Sequence, residues 1–499
     1  MRYYVDKIYI DSIYMERRMS GFVGRFAELA ALRKRLSRVS ETATGTAVAI
    51  RGRRQVGKSR LVQEFCDSAG VPYFFFTATK GVSPVEAIAS FLVELKESGL
   101  PVDPELVPES APGGWPDAFR ALANVLPQAP AIVVLDELPW LSEQDESFDG
   151  VLQTAWDRLL SRHPLLLLLL GSDIHMMERL TAYDRPFYGR ADNFVLAPLN
   201  PSEVGQALDL DAADTIDAHL ITGGLPGILR SWPQRTAPLE FIHQECADPA
   251  APVFGIPEAT LLAEFPTPDQ ARRVIEAVGS GERTHATIAA SAGGTAGTVP
   301  SGSLSPLLRR LSQEKHVIAA DQPLSTRPGK PTLYRVADSN LRLYLAVLRA
   351  VHDLARRGRP KQAYDLFVRR WTSWRGKAVE PLIRDALELA AASGTVPWPN
   401  AEVVGGWWNR QFNPEIDLVG ADRSPVASQI YFAGSIKWLN SPFDRHDLKA
   451  LLASVRHLPG FEPGESGLAI VSLSGAGADL DTADVDLIWG PAEVLSTWG

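Results

Sequence analysis

Cysteine is nearly absent: Cys66 and Cys246 are the only two in 499 residues. Two thiols cannot build a disulfide framework or a zinc site, and their scarcity fits a reducing cytoplasm. Both read as small, inert hydrophobes. Positive charge is also short. The net charge is -9, so the chain is no basic coat for nucleic acid, and any DNA contact must be a local patch. Long apolar runs are missing too. The leucine run Leu165–Leu170 falls far short of a span, since a bilayer-crossing helix needs roughly 20 apolar residues. It reads instead as a buried strand of a parallel sheet. Residues 1–19 lack the apolar core and cleavage site of a secretory signal. They are either a native extension or the product of a start codon upstream of Met15 or Met19. There is no low-complexity tract, and 45% hydrophobic with 22% charged residues is ordinary for a globular chain. The length calls for about two to four domains.

What is present begins at residues 46–65, TAVAIRGRRQVGKSRLVQEF. An apolar, β-branched run enters a loop and an amphipathic helix leaves it. The loop, Gly52-Arg53-Arg54-Gln55-Val56-Gly57-Lys58-Ser59-Arg60, fits the phosphate-binding pattern G-x-x-x-x-G-K-[ST] in its required strand–loop–helix context. Gly52 and Gly57 let successive N–H groups turn toward phosphate oxygens, and the helix N-terminus adds favourable partial charge. Lys58 is expected on the β- and γ-phosphates of ATP and Ser59 on the accompanying Mg²⁺. Some 80 residues on, AIVVLDELPWL carries Asp136 and Glu137 at the end of an apolar strand. Asp136 is the expected Mg²⁺ partner, and Glu137 the base that orients the attacking water. A third strand ends in Ser172, a candidate γ-phosphate sensor. The alternation of strands and helices predicts an α/β, doubly wound parallel sheet of P-loop type.

Three further stretches support a family resemblance. FVGRFAELAALRKRL (Phe22–Leu36), RPFYGRADNFVLAPLNPSEV (Arg185–Val204) and ITGGLPGIL (Ile221–Leu229) resemble segments of the archaeal-type ATPases of the STAND/AAA+ class. The resemblance implies that the first closes over adenine, that Arg190 is an arginine finger or sensor, and that Gly224–Pro226 lies near the nucleotide. It departs at Ala191, where that family often has a second arginine. A finger acting in trans implies a homo-oligomer in the ATP state.

Residues 240–345 read as helices followed by a strand, a polar turn and a strand, the layout of a winged helix. Its recognition helix is expected at Leu304–Glu314, with Arg327 and Lys330 at the wing tip. Such a module either contacts double-stranded DNA or packs on the ATPase as a lid and transmits nucleotide state. Ala355–Glu380 follows, with eight Lys/Arg, one Asp before Glu380, and Tyr364, Trp371 and Trp374 interleaved. It is either a nucleic-acid patch or a solvated helical face whose aromatics pack on the next domain. The remainder reads as α-β-β-β-α-β and resembles the PD-(D/E)XK restriction-endonuclease-like fold. Matched residue by residue, that resemblance makes Asp417 the main metal ligand, Glu380 the helical acid and Lys437 the lysine. The second-strand acid is replaced by Ser435. A hydroxyl lacks the charge that offsets the dehydration of Mg²⁺, and Glu415 shares a strand face with Asp417.

The expected organisation is an extension (1–19), a P-loop ATPase core (20–205), a helical lid (206–262), a winged helix (263–350), a basic linker (351–378) and a nuclease-like α/β domain (379–499). The expected activity is that of a cytoplasmic, ATP-hydrolysing switch that engages DNA or a protein partner without membrane insertion. An ATP-regulated, Mg-dependent DNA endonuclease and a non-hydrolysing, nucleotide-gated scaffold of a defence or toxin system are the alternatives.

Overall fold

A computed structural model describes residues 22–499, apart from 102, 173, 184, 266–268, 295–296 and 482–483. The expectation for residues 1–19 lies outside the described residues. The chain divides into two compact units, one ending at Leu199 and one beginning at Asn200.

The first unit is built on strands β1 (Thr46–Arg51), β2 (Tyr73–Thr77), β3 (Ala131–Asp136), β4 (Leu165–Gly171) and β5 (Ala191–Val195), in the order β2-β3-β4-β1-β5. Every pairing is parallel. The six-leucine run explains itself here. Leu165, Leu167 and Leu169 pack on one face of the sheet with Phe74, Phe76, Phe91, Trp115 and Phe119. Leu166, Leu168 and Leu170 pack on the other with Leu29, Leu32, Leu61 and Phe65. Helices therefore cover both faces, and a strand buried twice must be apolar at every position. Parallel register also brings the C-terminal ends of β1, β3 and β4 to one edge. No described helix is long and apolar enough to cross a membrane.

The second unit opens with helices from Pro201–Leu208 to Pro252–Glu264. Helices Gln270–Gly279, His285–Gly293 and Ser301–Arg309 come next, the last continued by a π turn to Glu314. The antiparallel pair β6 (Ile318–Asp321) and β7 (Leu333–Val336) follows. The loop between β6 and β7 does not project freely. Leu324 N–H donates to Gly406 O at 2.9 Å, Ala427 N–H to Ser325 O at 2.9 Å, and the Trp408 indole to Pro331 O at 2.8 Å. Leu324 sits in the core of the C-terminal sheet. Arg327 and Lys330 thus belong to a loop fastened to that sheet.

Residues 351–378 comprise the end of helix Arg349–Arg356, a turn at 357–359 and one long helix, Pro360–Ala378. Ala363, Phe367, Trp371, Arg375 and Ala378 form its buried stripe at helical spacing. Arg375 reaches a buried ion pair with Asp217 at 2.7 Å, which ties this helix to Ala212–Thr222. Helix Glu380–Ala392 leads into β8 (Val403–Trp408), β9 (Glu415–Ala421) and β10 (Ile430–Lys437), then helix Arg445–Val455, β11 (Gly467–Ser472) and β12 (Leu487–Trp489). The sheet order is β12-β11-β10-β9-β8, antiparallel through β8-β9-β10 and parallel through β10-β11-β12. Cys66 and Cys246 are buried and free, and burial pushes both thiols up to about 12.

Glu245 ends helix Pro238–Glu245, where the negative end of the helix dipole faces it. One of its carboxylate oxygens is buried without a partner. Burial, with Asp248 adding, pushes its carboxyl up to about 7. The folded pKa exceeds the unfolded one, so stability is full below about 4.5 and is lost as pH rises through about 7. Glu245→Gln is expected to leave thermal stability unchanged at acid pH and to raise it at pH 8 by on the order of 1–2 kcal/mol after solvent screening. Thermal melts of both proteins across that window check it.

Candidate functional site

The P-loop leaves β1 at the shared edge of the parallel sheet and enters helix Lys58–Ser68. Gly57 has φ 92°, a conformation that a side chain would strain. Gly52 is needed for a different reason: a Cβ there would meet Leu196 O at 2.5 Å. The loop is braced from outside by Arg25, which is buried and donates to Val56 O at 3.0 Å while pairing with Glu28 at 2.9 Å.

Lys58 is buried, and its ammonium donates to Gly52 O at 2.8 Å and Arg53 O at 3.0 Å. Burial pushes it down to about 8, against the pull of Glu137 and Asp136. Asp136, at the end of β3, is buried as well, and burial raises its carboxyl. It accepts from the Ser59 hydroxyl and from Glu137 N–H at 2.9 Å. Two oxygen donors, Ser59 and Asp136, therefore stand together within the field of Lys58, a donor set that suits Mg²⁺. Glu137 has φ 52°, the left-handed region, rare for a residue with a side chain and often found at functional positions. Its carboxylate accepts from Ser172 Oγ at 2.8 Å. Lys58, Ser59, Asp136, Glu137 and Ser172 thus converge.

Arg190 is held elsewhere. Its guanidinium makes two bonds to Asp157, at 2.8 and 2.9 Å, and that pair holds the Asp157 carboxyl low. Gly223 and Gly224 both have positive φ in the turn before Pro226, within the second unit.

The C-terminal candidates are only partly brought together. Glu380 and Asp417 are electrostatic neighbours: burial first, then Glu380, pushes the Asp417 carboxyl up. Asp417 accepts from Ser435 Oγ at 3.0 Å and Ile436 N–H at 2.9 Å. Lys437, expected beside Asp417, instead pairs with Asp447 on helix Arg445–Val455. Its place is taken by Lys377, which bonds Glu380 at 3.0 Å and lies 3.6 Å from Glu415. Burial works against the Lys377 charge, but Glu380, Asp417 and Glu415 outweigh it and hold its ammonium high. Arg384 adds bonds to Glu380 at 3.1 Å and Asp417 O at 3.0 Å. Among the described residues no group of three or more His, Cys, Asp or Glu is arranged to hold a metal ion.

Sequence reading missed Arg25, Lys377 and the Asp447 partner of Lys437. Lys377 left a signal, since it precedes Glu380 by one helical turn. Arg25 left only its position in the Phe-Val-Gly-Arg stretch before the P-loop.

Comparison with known proteins agrees with the first unit. Residues 21–168 match the family model of the AAA ATPase domain, and residues 344–450 match a family described as archaeal and bacterial proteins of unknown function. No curated protein matches the chain. Among solved structures, a Walker-type ATPase of Pyrococcus abyssi is 18% identical with a TM-score of 0.45, over 65% of this chain and 96% of that one. The ORC2 protein of Aeropyrum pernix, in ADPNP–ADP complexes, is 15% identical with a TM-score of 0.43, over 67% and 94%. A STAND protein with a tetratricopeptide repeat sensor from Pyrococcus horikoshii is 15% identical with a TM-score of 0.30, over 75% and 51%.

Arg25→Ala is expected to strand the Val56 carbonyl and to destabilise the first unit by roughly 1–3 kcal/mol. Thermal unfolding checks this, with the more exposed Glu28→Ala costing less.

Proposed function

We propose that the chain is an ATP-hydrolysing switch. The observation that carries this is the convergence of Lys58, the Ser59–Asp136 pair and the Glu137–Ser172 pair at one edge of a parallel sheet. Lys58, released from the two carbonyls it now caps, contacts the β- and γ-phosphates. Consecutive N–H groups from Arg53 to Arg60 cradle the phosphate chain at a helix N-terminus. Bound Mg²⁺, on Ser59 and Asp136, would neutralise charge that develops on the phosphates. Glu137 holds the proton of the attacking water, and Ser172 fixes its carboxylate. Arg190 acts as a finger toward a neighbouring copy only when its pair with Asp157 opens.

The second unit is the output. Its wing loop is bonded to the C-terminal sheet, which favours internal packing over a wing free to enter DNA. Ser435 beside Asp417, and Lys437 turned to Asp447, favour a nuclease-like scaffold that engages DNA or a protein partner without cutting. One observation supports the endonuclease reading: Lys377 brings an ammonium to Glu380, Glu415 and Asp417.

Glu137→Gln is expected to keep ATP binding and to lower turnover about 10²–10⁴-fold. Lys58→Ala should weaken binding as well, and wild-type turnover indistinguishable from these variants would refute hydrolysis. Arg190→Ala should lower turnover only in the assembled species. Supercoiled plasmid incubated with protein, ATP and Mg²⁺ is expected to stay intact. Nicking that disappears in Asp417→Ala would transfer the assignment to the endonuclease.

A further inference from the structure

A cleft of about 450 Å³ opens within the second unit, between helix Pro360–Ala378, the β6–β7 module and β8–β9. That is the size of a small-molecule site. Seven Lys and Arg side chains line it against four carboxylates. The carboxylates are all engaged. Asp321 is bonded by Arg335, Glu380 by Arg384 and Lys377, Glu415 by Lys377 and more distantly Arg283, and Asp417 by Ser435 and Ile436.

Three cations remain. Among the described residues Arg342, Arg369 and Arg370 have no carboxylate partner. Arg342 donates to Lys377 O and Arg370 to Ala346 O, each at 3.3 Å. Burial pushes the Arg342 guanidinium down to about 10, with Arg335 adding to the effect and Glu380 and Asp321 opposing it. Arg342 is the desolvated member of the three, while Arg369 and Arg370 are exposed, and a bound anion would offset the cost of burying Arg342.

Aromatic surface completes the cleft. Arg370, Trp374 and Lys377 follow at helical spacing, and all line it. Trp374 stacks on the buried Trp371 with centroids 5.6 Å apart and planes 27° from parallel, which fixes its ring. Tyr334 and Trp408 stand in the same lining. Guanidinium groups for a phosphate beside a fixed aromatic face for a base are the two elements of nucleotide recognition.

We propose that this cleft is a second nucleotide site, distinct from the P-loop. It holds one nucleoside phosphate, with the phosphate on Arg342, Arg369 and Arg370 and the base against Trp374. A free nucleotide and the 5′-phosphorylated end of a single strand present the same chemistry.

The test uses the full chain carrying Lys58→Ala, which disables the P-loop. AMP, a 5′-phosphorylated thymidine oligonucleotide and its 5′-hydroxyl counterpart are titrated in turn by calorimetry. Saturable binding is expected for AMP, for the phosphorylated strand, or for both. AMP alone identifies a free nucleotide, and the phosphorylated strand alone a strand end. Adding Arg369→Ala and Arg370→Ala, both exposed positions, should weaken binding at least about tenfold. Trp374→Ala should erase the preference for AMP over inorganic phosphate. In a chain with Lys58 intact, the arginine pair should leave basal ATP turnover unchanged, so failure here is separable from failure of the ATPase assignment. The proposal falls if no probe binds, or if the arginine variants bind as before. It also falls if AMP fails while the 5′-hydroxyl strand binds as tightly as the phosphorylated one.

Discussion

A parallel strand covered on both faces has nowhere to put a polar side chain except at its ends, and the first unit is organised by that constraint. β3 and β4 are buried at every position. Polar chemistry is therefore exported to the loops beyond their C-termini, and parallel register collects those loops at one edge. Asp136, Glu137, Ser172 and the P-loop meet there because the sheet leaves them no other place. The same burial that gathers them also removes their water. Lys58 and Asp136 are both pushed toward their neutral forms, and a polyanion with its cation would compensate each.

The features legible in the sequence are those that local pattern determines. The leucine run, the strand–loop–helix around Gly57 and the apolar strand ending in Asp136 each announce an element and its end within a dozen residues. The parallel α/β class follows from their order. Contacts between residues far apart in sequence were not legible. Arg25 braces Val56 from 31 positions away. Arg375 sits in a stretch that reads as a nucleic-acid patch or a solvated helical face, yet it is buried on Asp217, 158 positions distant. Lys437 has the right strand position for the resemblance it suggested, but its side chain reached a nearer carboxylate. Residue type and spacing constrain which groups can meet; rotamer and competing partners decide which do.

That competition has a general form in the C-terminal module. Lys377 and Lys437 both stand within reach of acidic groups, one from a helix and one from a strand. The ammonium beside Asp417 is supplied by the helix. Which lysine stands beside Glu380 and Glu415 is thus decided by the carboxylates within reach of each, not by strand position alone.

The strand β8 lies at the border of its sheet. Such a border presents unpaired carbonyl and amide groups that invite another chain to add on. In this molecule the Leu324 amide already occupies the Gly406 carbonyl. The hairpin loop of one module therefore blunts the open margin of the next. A fragment cut between the two would expose that margin and gain a route to strand-addition aggregates. In the intact chain the β6–β7 loop guards against this.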